Sequence, residues 1–427
     1  MLCCLLGKYY RLKYTLIELF FYFFYISFFD SIKIFFWKRK DNKKYYVSYK
    51  NNNLFWKLEK NKKIVIVIDD TVPQYDFNAG GKTLISYINI YQKLGYEVKF
   101  LPDDFLKREP YTTNLEKKGV EVLYGKFWKK NYTTWLYKNK ENIEFVMLNA
   151  PRSVKYIDFF RKCIKTNVLY YDMDIYFIRE KLRYDVTKNK KYLRESKYHK
   201  IIEKKLFKSA DAVLTVSEKE NIFIRKFVNK HEVFTIPCYV YSNFLNINYI
   251  ANNRNNLLFV GGESQQANLD GIQWFIEKIF PLVYKCNKNI KIYIVGSYNS
   301  KFIKQYQDNN IIFVKKVDDE ELQNLYLSSK IALAPLRFGA GVKGKVVEAM
   351  YYGVPIVSTN FGVEGLMPGF EEFITVSNTE QDFANSVLNL YDDNISLEKF
   401  SALSLKYSKE HFSFESASKI IQNILKR

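Results

Sequence analysis

Apolar residues in this chain gather in short unbroken runs rather than in alternation. Ile64-Val65-Ile66-Val67-Ile68 is apolar at every position, the pattern of a strand covered on both faces in a parallel sheet. Further strands are predicted at Glu97–Leu101, Val120–Leu123, Ile143–Leu148, Asn167–Tyr171, Ala212–Thr215 and Val233–Ile236. Helical stretches separate them, including Ser153–Ile164 and Tyr192–Phe207, and Ser217 with Glu220 has the spacing of a capping box for a helix ending near Val228. The polar stretch Asn252-Asn253-Arg254-Asn255-Asn256 reads as a linker. A second series then begins, with strands at Leu257–Val260, Ile292–Val295, Ile311–Val314, Ile331–Leu336 and Ile356–Ser358. Its helices are expected near Gly271–Tyr284, Asp318–Ser328, Lys343–Tyr352 and from Thr379 to Lys426. Two successive βα series predict an α/β protein with two parallel-sheet domains, over residues 61–250 and 251–427.

The chemistry concentrates where strands meet glycine loops. After Ile331–Leu336 come Gly339, Gly341 and Gly344, with Lys343 and Lys345 where the next helix opens. Glycines let backbone N–H groups approach a ligand, and a helix N-terminus favours an anion. Cations there oppose the helix dipole, an oddity that a bound phosphate resolves. Glu348, one turn after Lys345 on the same side, suits hydrogen bonds to sugar hydroxyls such as those of a ribose. Gly261-Gly262 ends an earlier strand and is another point of close backbone approach. Ala79-Gly80-Gly81-Lys82-Thr83 is expected to close a loop before a helix running to Leu94. Read as a P-loop it needs a further glycine where Asp76 stands, so that reading is disfavoured.

Charge narrows the partners. The 427 residues carry a formal net charge of +21, which favours anionic ones; the lysines are spread along the chain and no base-recognition motif appears, so nucleic acid is not expected. Five cysteines with no metal-ligand spacing argue against a disulfide framework and against a metal site. Over residues 1–60, an aromatic stretch from Tyr14 to Trp37 has basic flanks (Lys8, Arg11, Lys13; Lys38, Arg39, Lys40). Its uncharged core, Leu19–Phe29, is shorter than the roughly 20 residues of a membrane span. The expectation is an amphipathic extension lying on an anionic membrane surface, which places the protein in the cytoplasm, peripheral to the inner face of the membrane.

The stretch 331–366 resembles the donor-site signature of retaining glycosyltransferase family 4, also called group 1. Pro335 ends the strand; Gly339, Gly341 and Lys343 follow, then Glu348-Ala349-Met350, Gly353, Pro355, Val357, Thr359 and Glu364-Gly365-Leu366. The resemblance covers roughly 64–427. It implies a GT-B fold, two Rossmann-like βαβ domains facing a cleft, with the last helix crossing back to the N-terminal domain. It implies a nucleotide-diphosphate-sugar donor as co-substrate, retention at the anomeric carbon, and no metal or other cofactor. Gly80, Gly81, Gly261, Gly262, Gly339, Gly341, Lys343, Gly344, Lys345 and Glu348 would then bind the donor, and Lys343, Lys345 and Asp174 would serve catalysis.

Residues 171–180, YDMDIYFIRE, resemble the family's Asp-Leu-His-x-x-Arg-Glu loop through Asp174, Arg179 and Glu180, with Tyr176 in place of the histidine. The first glutamate of the family's Glu-x7-Glu is also replaced, by Ala340. His199, His231 and His411 lie outside any motif and read as structural. The expected function is sugar transfer to a glycan or lipid-linked acceptor in cell-surface polysaccharide synthesis. The alternative is a catalytically silent relative acting as a partner protein at the membrane.

Overall fold

A computed structural model of the protein describes residues 63–75, 79–228, 232–315, 317–339 and 341–426. The extension over residues 1–60 lies outside them, as do Asp76 and Ala340.

The chain forms two compact units, divided between Cys238 and Tyr239. In the first, strands β1 (Ile64–Asp69), β2 (Glu97–Pro102), β3 (Glu121–Val122), β4 (Ile143–Asn149), β5 (Asn167–Asp172), β6 (Ala212–Thr215) and β7 (Glu232–Thr235) form one sheet in the order β3-β2-β1-β4-β5-β6-β7. Its pairings are parallel. All five Ile and Val residues of β1 are fully buried, which is why its sequence does not alternate. The helices are α1 (Ala79–Lys93), α2 (Tyr111–Lys117), α3 (Gly125–Lys138), α4 (Val154–Phe159), α5 (Tyr176–Thr187), α6 (Lys190–Ser209) and α7 (Glu218–Arg225), with a π turn at Phe160–Ile164 after α4. Lys99 is buried on β2, where Glu97 at 2.9 Å and Glu121 neutralise it.

The second unit repeats the plan. Strands β8 (Asn256–Val260), β9 (Ile292–Val295), β10 (Ile311–Val314), β11 (Ser329–Ala334), β12 (Ile356–Ser358) and β13 (Ile374–Val376) pair in the order β10-β9-β8-β11-β12-β13. Around them lie α8 (Gln266–Trp274), α9 (Phe280–Cys286), α10 (Ser300–Tyr306), α11 (Asp319–Ser328), α12 (Gly344–Tyr351), α13 (Glu380–Asp392), α14 (Asn394–Phe412) and α15 (Phe414–Leu425). A π turn, Phe275–Ile279, interrupts the single helix expected over 271–284, and Pro281, which has no N–H to donate, falls in the first turn of α9. The acidic start of α11 is a complete capping box between Asp318 and Glu321.

The division precedes the boundary expected at 250/251, because the chain after Cys238 is already tied to the second unit. Tyr241 donates its N–H to Phe412 O at 2.8 Å and accepts from Phe414 N at 2.9 Å; Tyr249 donates its hydroxyl to Lys330 O at 2.8 Å. The asparagine-rich linker forms a short 3-10 turn, Ala251–Asn253, leading into β8.

Candidate functional site

The second sheet reverses its strand order between β8 and β11, and ligands of such sheets bind outside the carboxyl ends of the strands at that point. β11 is buried at all its positions. Beyond it, Gly339 (φ 127°) and Gly341 (φ 72°) take backbone conformations that side chains disfavour. Lys343 then occupies the N-cap of α12 in extended conformation, and no side chain caps the helix. The N–H groups of Gly344 and Lys345 are therefore offered to a ligand, while Val346 N already donates to Lys343 O at 3.0 Å.

Both lysines are held at that helix end. The Lys343 ammonium donates to Gly341 O and stands 3.9 Å from Glu364. Lys345 Nζ donates to Asn268 Oδ1 at 2.5 Å and lies 4.2 Å from the centroid of the Phe259 ring. Burial, and then the charge of Lys343, lower the Lys345 pKa to about 7, while Glu348 acts in the opposite direction. Glu348 accepts a hydrogen bond from the Tyr326 hydroxyl at 3.2 Å. Tyr326 is buried and its ring stacks on Tyr352 at 5.0 Å.

The turn after β8 closes on the same group. A Cβ on Gly261 would lie 2.8 Å from Lys345 Nζ and 2.7 Å from the Asn268 side chain; glycine here lets the lysine reach the strand end. Gly262 packs on the next turn, where a Cβ would meet Ser297 N and O at 3.3 Å. At Gly344 a Cβ would meet the Tyr239 hydroxyl at 2.7 Å. Gly261, Gly339, Gly341, Lys343, Gly344, Lys345 and Glu348 thus converge. Asn268 and Tyr326, which position Lys345 and Glu348, were not singled out from sequence. They stand 77 and 22 residues from their partners, and only the sheet order brings them near.

The candidates of the first unit are placed differently. Gly80 and Gly81 fall in the first turn of α1, which starts at Ala79, so they are helical rather than part of the expected loop. A Cβ on Gly81 would stand 2.8 Å from Gln74 O, so its bareness serves close approach of the chain's own backbone. Asp174 pairs with Arg179 at 3.0 Å. The Arg179 guanidinium lies 4.0 Å from the centroid of the Tyr176 ring, and that ring lies 5.3 Å from His199. Burial raises the Asp174 pKa and Arg179 opposes it; burial, with the charges of Arg179 and Arg152, lowers that of His199 to about 4, so the imidazole is neutral at pH 7. Tyr176 is the first residue of α5 rather than a loop residue. Glu203, buried, accepts from Tyr176 N at 2.8 Å and Phe177 N at 2.9 Å, which caps that helix.

Two parallel sheets with flanking helices of this order are the GT-B architecture. Residues 254–393 match the family described as Glycosyl transferases group 1. Over 148 residues the chain is 37% identical to an uncharacterized 44.6 kDa protein in the cps region of Klebsiella pneumoniae, covering 33% of this chain and 38% of that one. Over 247 residues it is 24% identical to an uncharacterized glycosyltransferase of Methanocaldococcus jannaschii, covering 54% and 62%. The chain thus spans less than two thirds of either relative. Among solved structures, sucrose-phosphate synthase from Thermosynechococcus elongatus is similar with a TM-score of 0.59 at 14% identity, over 86% of this chain and 98% of that one. HepE of Anabaena, in complex with UDP, is similar with a TM-score of 0.59 at 13% identity, over 85% and 99%.

Proposed function

We propose that the protein is a retaining glycosyltransferase that moves a sugar from a nucleotide-diphosphate-sugar to a glycan or lipid-linked acceptor. One observation carries the reading. In the unit that contains the matched residues, Lys343 and Lys345 meet at the uncapped start of α12 with Glu348 one turn behind. Loop amides and both ammonium groups meet the charge that develops on a leaving diphosphate, and Glu348 accepts from ribose hydroxyls. The relative in a cps region supports a role in cell-surface polysaccharide synthesis. The neighbour solved with UDP supports a nucleotide-sugar donor.

The replacements at Tyr176 and Ala340 motivate a second reading, a catalytically silent partner at the membrane. Thermal shift of the purified chain with UDP-, GDP-, ADP- and dTDP-sugars, followed by assay of nucleoside diphosphate release, separates the two. A donor at about a hundred times its dissociation constant should stabilise by roughly 2.7 kcal/mol. Stabilisation without turnover supports the silent partner, and no response to any donor overturns the transferase reading.

A further inference from the structure

Arg254 is a buried cation without a counter-ion. It stands two residues before β8 and is 5% exposed. Burial lowers its pKa, only Tyr249 opposes, and among the described residues no carboxylate pairs with it. Its place is fixed. Nη1 donates to Tyr326 O and Ser329 O, each at 3.3 Å, and the guanidinium lies 4.2 Å from the centroid of the Tyr249 ring. Those carbonyls end α11, so the helix dipole offsets part of the charge. These bonds use one nitrogen of the guanidinium. Nε and Nη2, the side-on fork that grips a carboxylate, have no partner among the described residues. Arg337 uses that same pair of atoms on Asp270, at 2.9 and 2.5 Å. Arg254 lines a pocket of about 490 Å³ that lies wholly in the second unit, within the range of about 300–1,000 Å³ usual for ligand sites. The pocket is at the amino ends of β8 and β11. Gly261, against Lys345, follows β8 at its other end, a five-residue strand or roughly 16 Å away.

We propose that this pocket binds a carboxylate-bearing sugar, a uronic acid residue, with the carboxylate on the open edge of Arg254. Arg254 is the one charged side chain among the described residues that line it, so it balances a monoanion. A phosphate dianion would exceed that single charge, and an amino acid would bring an ammonium with no acid to meet it. Asn246, Asn248, Asn253 and Gln323 line the walls beside Leu245, Ile250 and Leu327. Amides at these positions pair with hydroxyls, and the aliphatic side chains cover the C–H face of a sugar ring. A fatty acid would leave the amides without partners. The pocket is read without a sugar donor, so the inference stands or fails apart from the proposed transfer reaction.

The test is calorimetry and saturation-transfer NMR of the full chain with D-glucuronate, D-glucose, acetate and inorganic phosphate. Glucuronate should bind at least about tenfold more tightly than glucose or acetate, the weight of a charged hydrogen bond. Arg254→Met keeps the packing on Tyr249 without the charge and should weaken glucuronate binding roughly tenfold to a hundredfold. Gln323→Glu puts a carboxylate into the pocket, keeps helix propensity and leaves the bonds of Arg254 to α11 in place. It should cause a similar loss, and it decides the matter if Arg254→Met does not fold. Gln381→Glu on α13, exposed and equal in charge change, should bind as the unaltered chain does. Saturating UDP should not displace glucuronate. No binding of glucuronate, equal binding of glucose or acetate, preference for phosphate, undiminished binding by Gln323→Glu, equal loss in Gln381→Glu, or displacement by UDP overturns the proposal.

Discussion

On the proposed function, Lys345 and Glu348, one turn apart, would serve different tasks, and their removal should separate them. Negative charge grows on the leaving diphosphate, so Lys345→Ala should lower kcat more than donor affinity, by about 2.7–4 kcal/mol in barrier on the scale of oxyanion donors. Ribose hydroxyls, which Glu348 would hold on that reading, do not change during the reaction. Glu348→Ala should mainly raise the donor KM, by roughly tenfold to a hundredfold for a charged hydrogen bond of about 1.5–3 kcal/mol. Steady-state kinetics with both variants decides, and two folded variants with unaltered kinetics would place the donor elsewhere. Protonation of Lys345 adds a second expectation. Its pKa is lowered from 10.5 to about 7, so between those values the unfolded chain holds a proton that the folded chain releases, and stability gains with rising pH across that window. A diphosphate favours the charged form, so binding above pH 7 takes up a proton and weakens by up to about tenfold per pH unit. Calorimetry of UDP binding in two buffers of different ionisation heat should show that uptake; its absence would mean that Lys345 does not face the phosphates. That Lys343, Lys345 and Glu348 gather at one helix start was legible because glycine spacing and helix register are local. Asn268 and Tyr326 were not, because a hydrogen bond between distant segments leaves no mark in either segment's sequence.

At the level of elements, strands with apolar residues on both faces were readable wherever four or more such residues ran together, as in β1, β4 and β11. β13, Ile374–Val376, was not, because it lacks the punctuation that marks the equally short β12, which follows Gly353 and Pro355. Residues 171–180 read as a loop through the family resemblance, but 176–180 open helix α5, whose first N–H groups are capped from a distance by Glu203, on α6. The start of α1 was placed too late because consecutive glycines suggest a turn, whereas the first helical turn here accepts them for the sake of Gln74. The start of α12 gives a test of such reasoning. Gly344→Ala puts a methyl group 2.7 Å from the Tyr239 hydroxyl and 3.1 Å from the ring carbon that bears it. Overpacking of this kind costs about 1–3 kcal/mol. Tyr239→Phe in the same chain removes the nearer atom and should return part of that loss. A double-mutant cycle from urea denaturation measures it, and strictly additive effects would mean that the two side chains do not meet.

For the molecule as a whole, the question is where the charge of a nucleotide diphosphate is balanced. Composition favoured an anionic partner without placing it; the sheet order brings the glycine turn after β8 and the start of α12 to one end of the second unit, where the proposed donor would sit. Two ammonium groups and a helix N-terminus are gathered there. The chain has one Asp-x-Asp spacing of the kind that can hold a donor metal, Asp172-Met173-Asp174; it lies in the first unit and is engaged otherwise. Asp172 is 2% exposed and accepts from the Tyr170 hydroxyl at 3.2 Å; burial, with Glu203 and Glu220 nearby, holds its carboxyl well above the usual range. Asp174 is paired with Arg179. A divalent ion would have to break that pair and ionise a buried acid. Transfer should therefore survive EDTA with unchanged kcat/KM, and Lys345→Ala should not be rescued by magnesium or manganese. Activity lost on chelation and restored by either ion would show that a metal, rather than the lysines of α12, carries the leaving charge.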